Sequence, residues 1–148
     1  LWRRAAGRYP VAAVRDGEWI SRRFTGHPRL AYTHVSAWRR GQACAWAVVC
    51  PLGGTLRWVE LIWDGEDRGA LAALDRGVCR AARAAGCTAM EMWLRGDEDA
   101  QEALAERGWE RGVHPENLQM VMCTFHERVD PTEIRPRLYL TMGDSDLA

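Results

Sequence analysis

The 148 residues contain no lysine. All twenty cationic side chains are arginine, and twenty Asp and Glu bring the formal charge to zero. Arginine grips phosphate in a bidentate fork, but a chain that favours Arg and Ala over Lys also arises from codon bias. Such composition says little about partners. Without net charge the electrostatic footprint of a nucleic-acid binder is missing. No run approaches the roughly 18 apolar residues of a membrane-crossing helix, and no signal peptide opens the chain, so a cytoplasmic protein without a membrane partner is expected. The start at Leu1-Trp2-Arg3-Arg4, without an initiator Met, suggests a domain cut from a longer chain. No CxxC pair occurs among Cys44, Cys50, Cys79, Cys87 and Cys123, and an odd number cannot all pair, so reduced thiols are expected. His27, His34, His114 and His126 lack metal-ligand spacing, and no metal site is expected.

What the chain does have is enough apolar content, 47%, for one α/β domain spanning 1–148, with residues 1–15 as a lead-in. Its organising stretch is 56–94. Residues 56–63 are apolar on both faces, as in a strand buried on both sides. Asp64-Gly65-Glu66-Asp67-Arg68-Gly69 then supplies turn formers and helix-start acids. A helix is expected over 70–85, with Leu71, Leu74, Val78, Ala82 and Ala85 inward and Asp75, Arg76, Arg80 and Arg83 outward. Gly86 stands where a left-handed C-cap is needed. A strand over 88–94 returns the chain parallel to the first, through a right-handed crossover.

Before this unit, Asp16 caps a helix over 16–24, and strands over 30–38 and 43–50 form a hairpin around Arg39-Arg40-Gly41-Gln42. Pro51-Leu52-Gly53-Gly54 turns the chain into the central strand. After it, Asp97-Glu98-Asp99 opens a second helix that ends at Gly108. A strand over 117–125, a loop punctuated by Asp130-Pro131 and Arg135-Pro136, and a short strand over 138–142 complete the chain.

An antiparallel meander followed by a β-α-β-α-β-β unit resembles the GCN5-related N-acetyltransferase (GNAT) superfamily. The phrase Asp97-x-x-Ala100-x-x-Ala103-Leu104-x-x-x-Gly108-Trp109 is similar to that family's fourth-helix signature, and the ending 139–146 is similar to bacterial members. The resemblance implies a GNAT-like mixed sheet whose central parallel strands splay apart around acetyl-CoA or another acyl-CoA. It implies that backbone groups of Leu61, Ile62 and Trp63 hold the pantetheine arm. The amides of Glu66, Asp67, Arg68, Gly69 and Ala70 would cradle the pyrophosphate at a helix start. Asp97 stands where the family has an Asn, and Leu104 where it often has a Tyr general acid. The acids Asp64, Glu66 and Asp67 would repel a pyrophosphate, with Arg68 to offset them.

Three residues then become candidates for proton transfer. Glu60, in an otherwise apolar strand, matches the position where family members place a general base; the alternative is a structural carboxylate paired with Arg39 or Arg57. Glu91 is a weaker candidate of the same kind. Tyr139 would replace the missing general acid if the last strand borders the notch, and otherwise packs in the core. Trp58, Trp63, Trp93 and Trp109 would line an acyl pocket or the core. The implied function is N-acyl transfer from acyl-CoA to the amine of an acceptor. The alternative is a non-catalytic GNAT-like domain that packs on a catalytic half, meets an N-terminal partner domain or forms a homodimer.

Overall fold

The computed structural model describes residues 1–112 and 130–145. A mixed four-stranded sheet lies at its centre, formed by β1 (Thr33–Arg39), β2 (Gln42–Leu52), β3 (Thr55–Trp63) and β4 (Ala89–Met92), in that spatial order. The first three strands are an antiparallel meander. Its turns are two-residue pairs with positive φ, Arg40-Gly41 (49° and 76°) and Gly53-Gly54 (59° and 81°). Such primed turns match the twist of the strands they join. β4 runs parallel to β3, with Thr55 opposite Ala89 and Trp58 opposite Met92. The mixed α/β class and the parallel pair are therefore as expected from residues 56–94.

The crossover between the parallel strands is α1, Arg68–Ala84. It buries Leu71, Leu74 and Val78 against Ala45, Ala47, Leu61 and Trp63. Each of the three large side chains contributes about 1.5–3 kcal/mol by leaving water. Small residues on β2 let the helix sit close to the sheet. Gly77 does the same toward β1, since a β-carbon there would lie 2.8 Å from Val35. Gly86, at φ +68°, closes the helix, and the next amide, of Cys87, donates to the Ala82 carbonyl at 2.9 Å.

Several expectations are corrected. Asp75, expected on the solvent face, is buried and accepts from Arg107 Nε at 2.6 Å and Trp109 Nε1 at 2.9 Å. The strand over 88–94 breaks at Trp93, and β5 (Leu94–Arg95) leaves the main sheet to pair with β6 (Leu140–Thr141). After β6 the chain curls into a 3₁₀ turn, Met142–Asp144, because the Thr141 and Asp144 side chains make a capping box. Asp130-Pro131 starts a short helix, Pro131–Ile134, since Asp130 caps it and proline suits its first position. The lead-in, residues 1–15, packs on the domain: Ala5, Tyr9 and Arg15 are buried, and Val11 bridges Leu138. The strand expected over 117–125 lies outside the described residues. Asp16 caps the helix Gly17–Phe24 as anticipated, accepting the Trp19 amide at 2.9 Å. Among the described residues no helix is long and apolar enough to cross a membrane.

Candidate functional site

The parallel pairing of β3 and β4 stops at Trp58 and Met92, while β3 continues to Trp63. The sheet therefore has a gap at the carboxyl end of its parallel strands, where open α/β sheets bind ligands. In this chain the gap is filled by its own tyrosines. The hydroxyl of Tyr139 donates to the Leu61 carbonyl. The hydroxyl of Tyr9 lies 3.2 Å from the Trp63 carbonyl and 3.1 Å from Asp97 Oδ2. Their ring centroids are 3.9 Å apart. Burial raises the pKa of both phenols, with carboxylates adding to the effect, so both stay protonated donors. Tyr139 does border the gap, as the acid assignment required. However, its proton is committed to a backbone carbonyl and its side chain is buried. Leu61, Ile62 and Trp63 are likewise buried, and the carbonyls of Leu61 and Trp63 already have partners.

Glu60 is corrected more sharply. It does not point into an open notch free of arginine. Oε2 of Glu60 accepts from Thr141 Oγ1 at 2.9 Å, and Oε1 accepts the Leu61 amide at 3.0 Å. Arg15 Nε lies 3.0 Å from Oε2, off the line of an ideal hydrogen bond. Both side chains are 0% exposed. The same arginine reaches Asp144, so one guanidinium serves two carboxylates. A β-carbon on Gly143 would lie 2.9 Å from Oε2 and 3.2 Å from Phe24, which leaves no space beside the carboxylate for a substrate. Burial pushes the Glu60 carboxyl up to about 7, against the pull of Arg15 and Thr141 and with Asp144 adding repulsion. That value would suit a base, but geometry makes it a closed structural group. Its partner is Arg15, not Arg39 or Arg57. Arg39 pairs with Asp67 and Arg57 with Glu91, the latter at 2.8 Å.

The loop expected to cradle a pyrophosphate is occupied by its own carboxylates. Asp67 caps α1, accepting the Gly69 amide at 2.9 Å, and its carbonyl takes the amides of Ala70 and Leu71. Asp64 takes the Glu66 amide at 3.3 Å. Arg68, the cation meant to offset these acids, reaches Glu102 at 2.6 Å on the second helix, α2 (Glu98–Ala105), and Glu106 at 3.0 Å at its C-cap. Asp97 is the buried N-cap of α2, bonded to the Ala100 amide and Arg8, each at 3.0 Å. A helix N-terminus binds an anion when its amides are free; here carboxylates of the chain take the Glu66, Gly69 and Ala100 amides, and the Asp67 carbonyl takes those of Ala70 and Leu71. Leu104, at the family's tyrosine position, is core. Trp58 and Trp109 meet edge to face at 5.7 Å, also within the core.

Sequence reasoning missed Tyr9, Arg15, Thr141 and Asp144. Arg15 precedes a helix cap and reads as a surface cation. The Thr141-x-x-Asp144 spacing is a capping-box signal that was available. Among the described residues no group of three His, Cys, Asp or Glu side chains is placed to hold a metal ion. An open depression of about 480 Å³ lies between β1 and α1, and Asp67, Gly69 and Ala70 of the helix start form part of its lining. These features define a mixed α/β domain whose strand-end cleft is closed by its own side chains. Comparison with protein-family models, with curated proteins and with solved structures finds no match.

Proposed function

We propose that the chain is a non-catalytic domain with a GNAT-like element order, closed where an acyl-CoA would lie, and that it works by docking onto a partner. The observation that carries this reading is the pair of tyrosine hydroxyls on the Leu61 and Trp63 carbonyls. A pantetheine arm in the gap would have to displace Tyr9 and Tyr139 together, and a pyrophosphate would face Asp64, Glu66 and Asp67. Glu60 and Tyr139 have no path to an acceptor amine.

N-acyl transfer from acetyl-CoA is the second reading. It is favoured by the parallel pair of β3 and β4 with α1 crossing between them, and it requires the gap to open. A thermal-shift titration separates the two. A ligand present at ten times its Kd would stabilise the folded chain by about 1.4 kcal/mol. No shift at millimolar acetyl-CoA is expected, and a saturable rise in melting temperature would overturn the non-catalytic reading.

A further inference from the structure

β1 is one edge of the four-stranded sheet, and the described residues supply no strand beyond it. Seven residues of edge leave backbone N–H and C=O groups ready to pair with another chain. Proteins guard such edges with bulges and charge. The β1–β2 ladder has a bulge in which Cys44 of β2 is the extra residue opposite Ala37 and Trp38, and Arg39 and Arg40 lie beyond it on β1. A guard does not need the tryptophan. Trp38 is 65% exposed, and its indole N–H is held on Ser36 Oγ at 2.8 Å. A fixed, bare indole beside an edge with no further strand among the described residues raises the hazard that charge lowers. It is also the side-chain type that anchors interfaces.

The depression of about 480 Å³ lies beside this edge. Ala37, Ala70 and Ala73 form part of its floor, and Trp38, Arg39 and Arg80 rise around it. Small residues on the flank of α1 keep the helix from overhanging the edge. Arg39 is engaged by Asp67. Arg80 has no hydrogen-bond or ion-pair partner among the described residues, and exposed Arg40 adds charge nearby. The surplus is positive. A shallow depression cannot enclose a small molecule as ligand pockets do, whereas a strand laid on β1 gains main-chain hydrogen bonds and places alternate side chains beside the helix.

We propose that the β1 edge and this depression dock an extended acidic segment of a partner protein, which joins the sheet as a fifth strand with a carboxylate on Arg80 and an apolar side chain against Trp38. The proposal rests on reading the chain as a docking domain.

A displayed library of random heptapeptides, selected on the intact chain and counter-selected on a Trp38→Ala/Arg80→Glu variant, tests it. Both positions are exposed or at the surface of the depression, so the variant should fold; unchanged circular dichroism checks this. Enriched sequences should carry Asp or Glu at alternate positions. A synthetic peptide of the enriched sequence should bind at least ~10-fold more weakly to Arg80→Glu alone and lose binding when its backbone amides are N-methylated. Basic or unpatterned enrichment, no enrichment over the variant, or equal binding of the N-methylated peptide would overturn the proposal. Glutamate alone competing as well as the peptide would overturn it too, in favour of a small-anion site. The acetyl-CoA titration is read separately: a positive result there with a positive peptide result removes the non-catalytic reading and leaves the docking edge.

Discussion

Arg15 stands between Glu60 and Asp144. Burial lowers its pKa, but the two carboxylates outweigh burial and the net direction is upward, so it stays charged. With both acids ionised the cluster carries one excess negative charge, and like charges near a single cation push one proton affinity up. Glu60, at about 7 against an ordinary 4.5, is raised chiefly by burial, with repulsion from Asp144 adding to it. The sign of the stability effect follows from proton counting. Below pH 4.5 both folded and unfolded chains hold the proton. Between 4.5 and about 7 the unfolded chain releases it first, so stability falls as pH rises. The loss is on the order of 3 kcal/mol across that window. Denaturant titrations at a series of pH values should show the slope in the natural chain, and Glu60→Gln should remove it. Arg15→Met should destabilise by roughly 3 kcal/mol or more at pH 8, where it strands a buried anion, and by less at pH 5, where Glu60 takes a proton. A Glu60→Gln chain with the full slope would end this account.

At the scale of elements, the glycines after α1 and after β5 test how tightly neighbours are joined. Gly86 and Gly96 both adopt positive φ, 68° and 79°. Nothing lies within 4 Å of a β-carbon on Gly86, whereas one on Gly96 would lie 2.5 Å from the Leu138 carbonyl oxygen and 3.0 Å from Tyr139 Cα. Gly86→Ala should cost about 1 kcal/mol for the backbone conformation alone. Gly96→Ala adds a clash with backbone that has no rotamer to change, so about 2–4 kcal/mol is expected by chemical denaturation. Equal losses would mean that the segment 138–141 moves aside freely. The same contrast explains what was legible in the sequence. α1 was readable because cap, apolar period and terminal glycine all lie within it. Asp75 was misread from its charge, although its place four residues after Leu71 and three before Val78 puts it on the buried stripe. The break at Trp93 depends on β6, far along the chain, and no local pattern announces it. The carboxylate–arginine cluster draws on residues 15, 60 and 144, and sequence spacing has no way to signal such a meeting. The loop over 64–70 was legible as a helix start, because turn formers and acids stand together there. Their use as caps required coordinates.

For the whole molecule, the first fifteen residues and the segment 138–144 form one closing layer over the end of β3. Tyr139 donates its amide to the Val11 carbonyl at 2.8 Å, the Tyr9 ring packs at a tilt against Tyr139, and Arg15 holds Asp144 and Glu60. Ala5, Tyr9, Ile62 and Tyr139 share one apolar cluster. Removing residues 1–15 would uncover that cluster and leave Glu60 buried without its guanidinium. Breaking a buried ion pair from one side typically costs about 3–5 kcal/mol, and lost apolar burial adds to it. For a domain of this size each kcal/mol moves the melting temperature by roughly 3–4 °C. The truncated chain should therefore melt at least ~10 °C lower at pH 8, if it retains a cooperative transition at all. Part of the loss should return at pH 5, as protonated Glu60 no longer needs a cation. Calorimetry of the two chains at both pH values measures this directly. A truncated chain melting within ~2 °C of the intact one would show that the segment is a detachable leader and that β3 needs no cover from it.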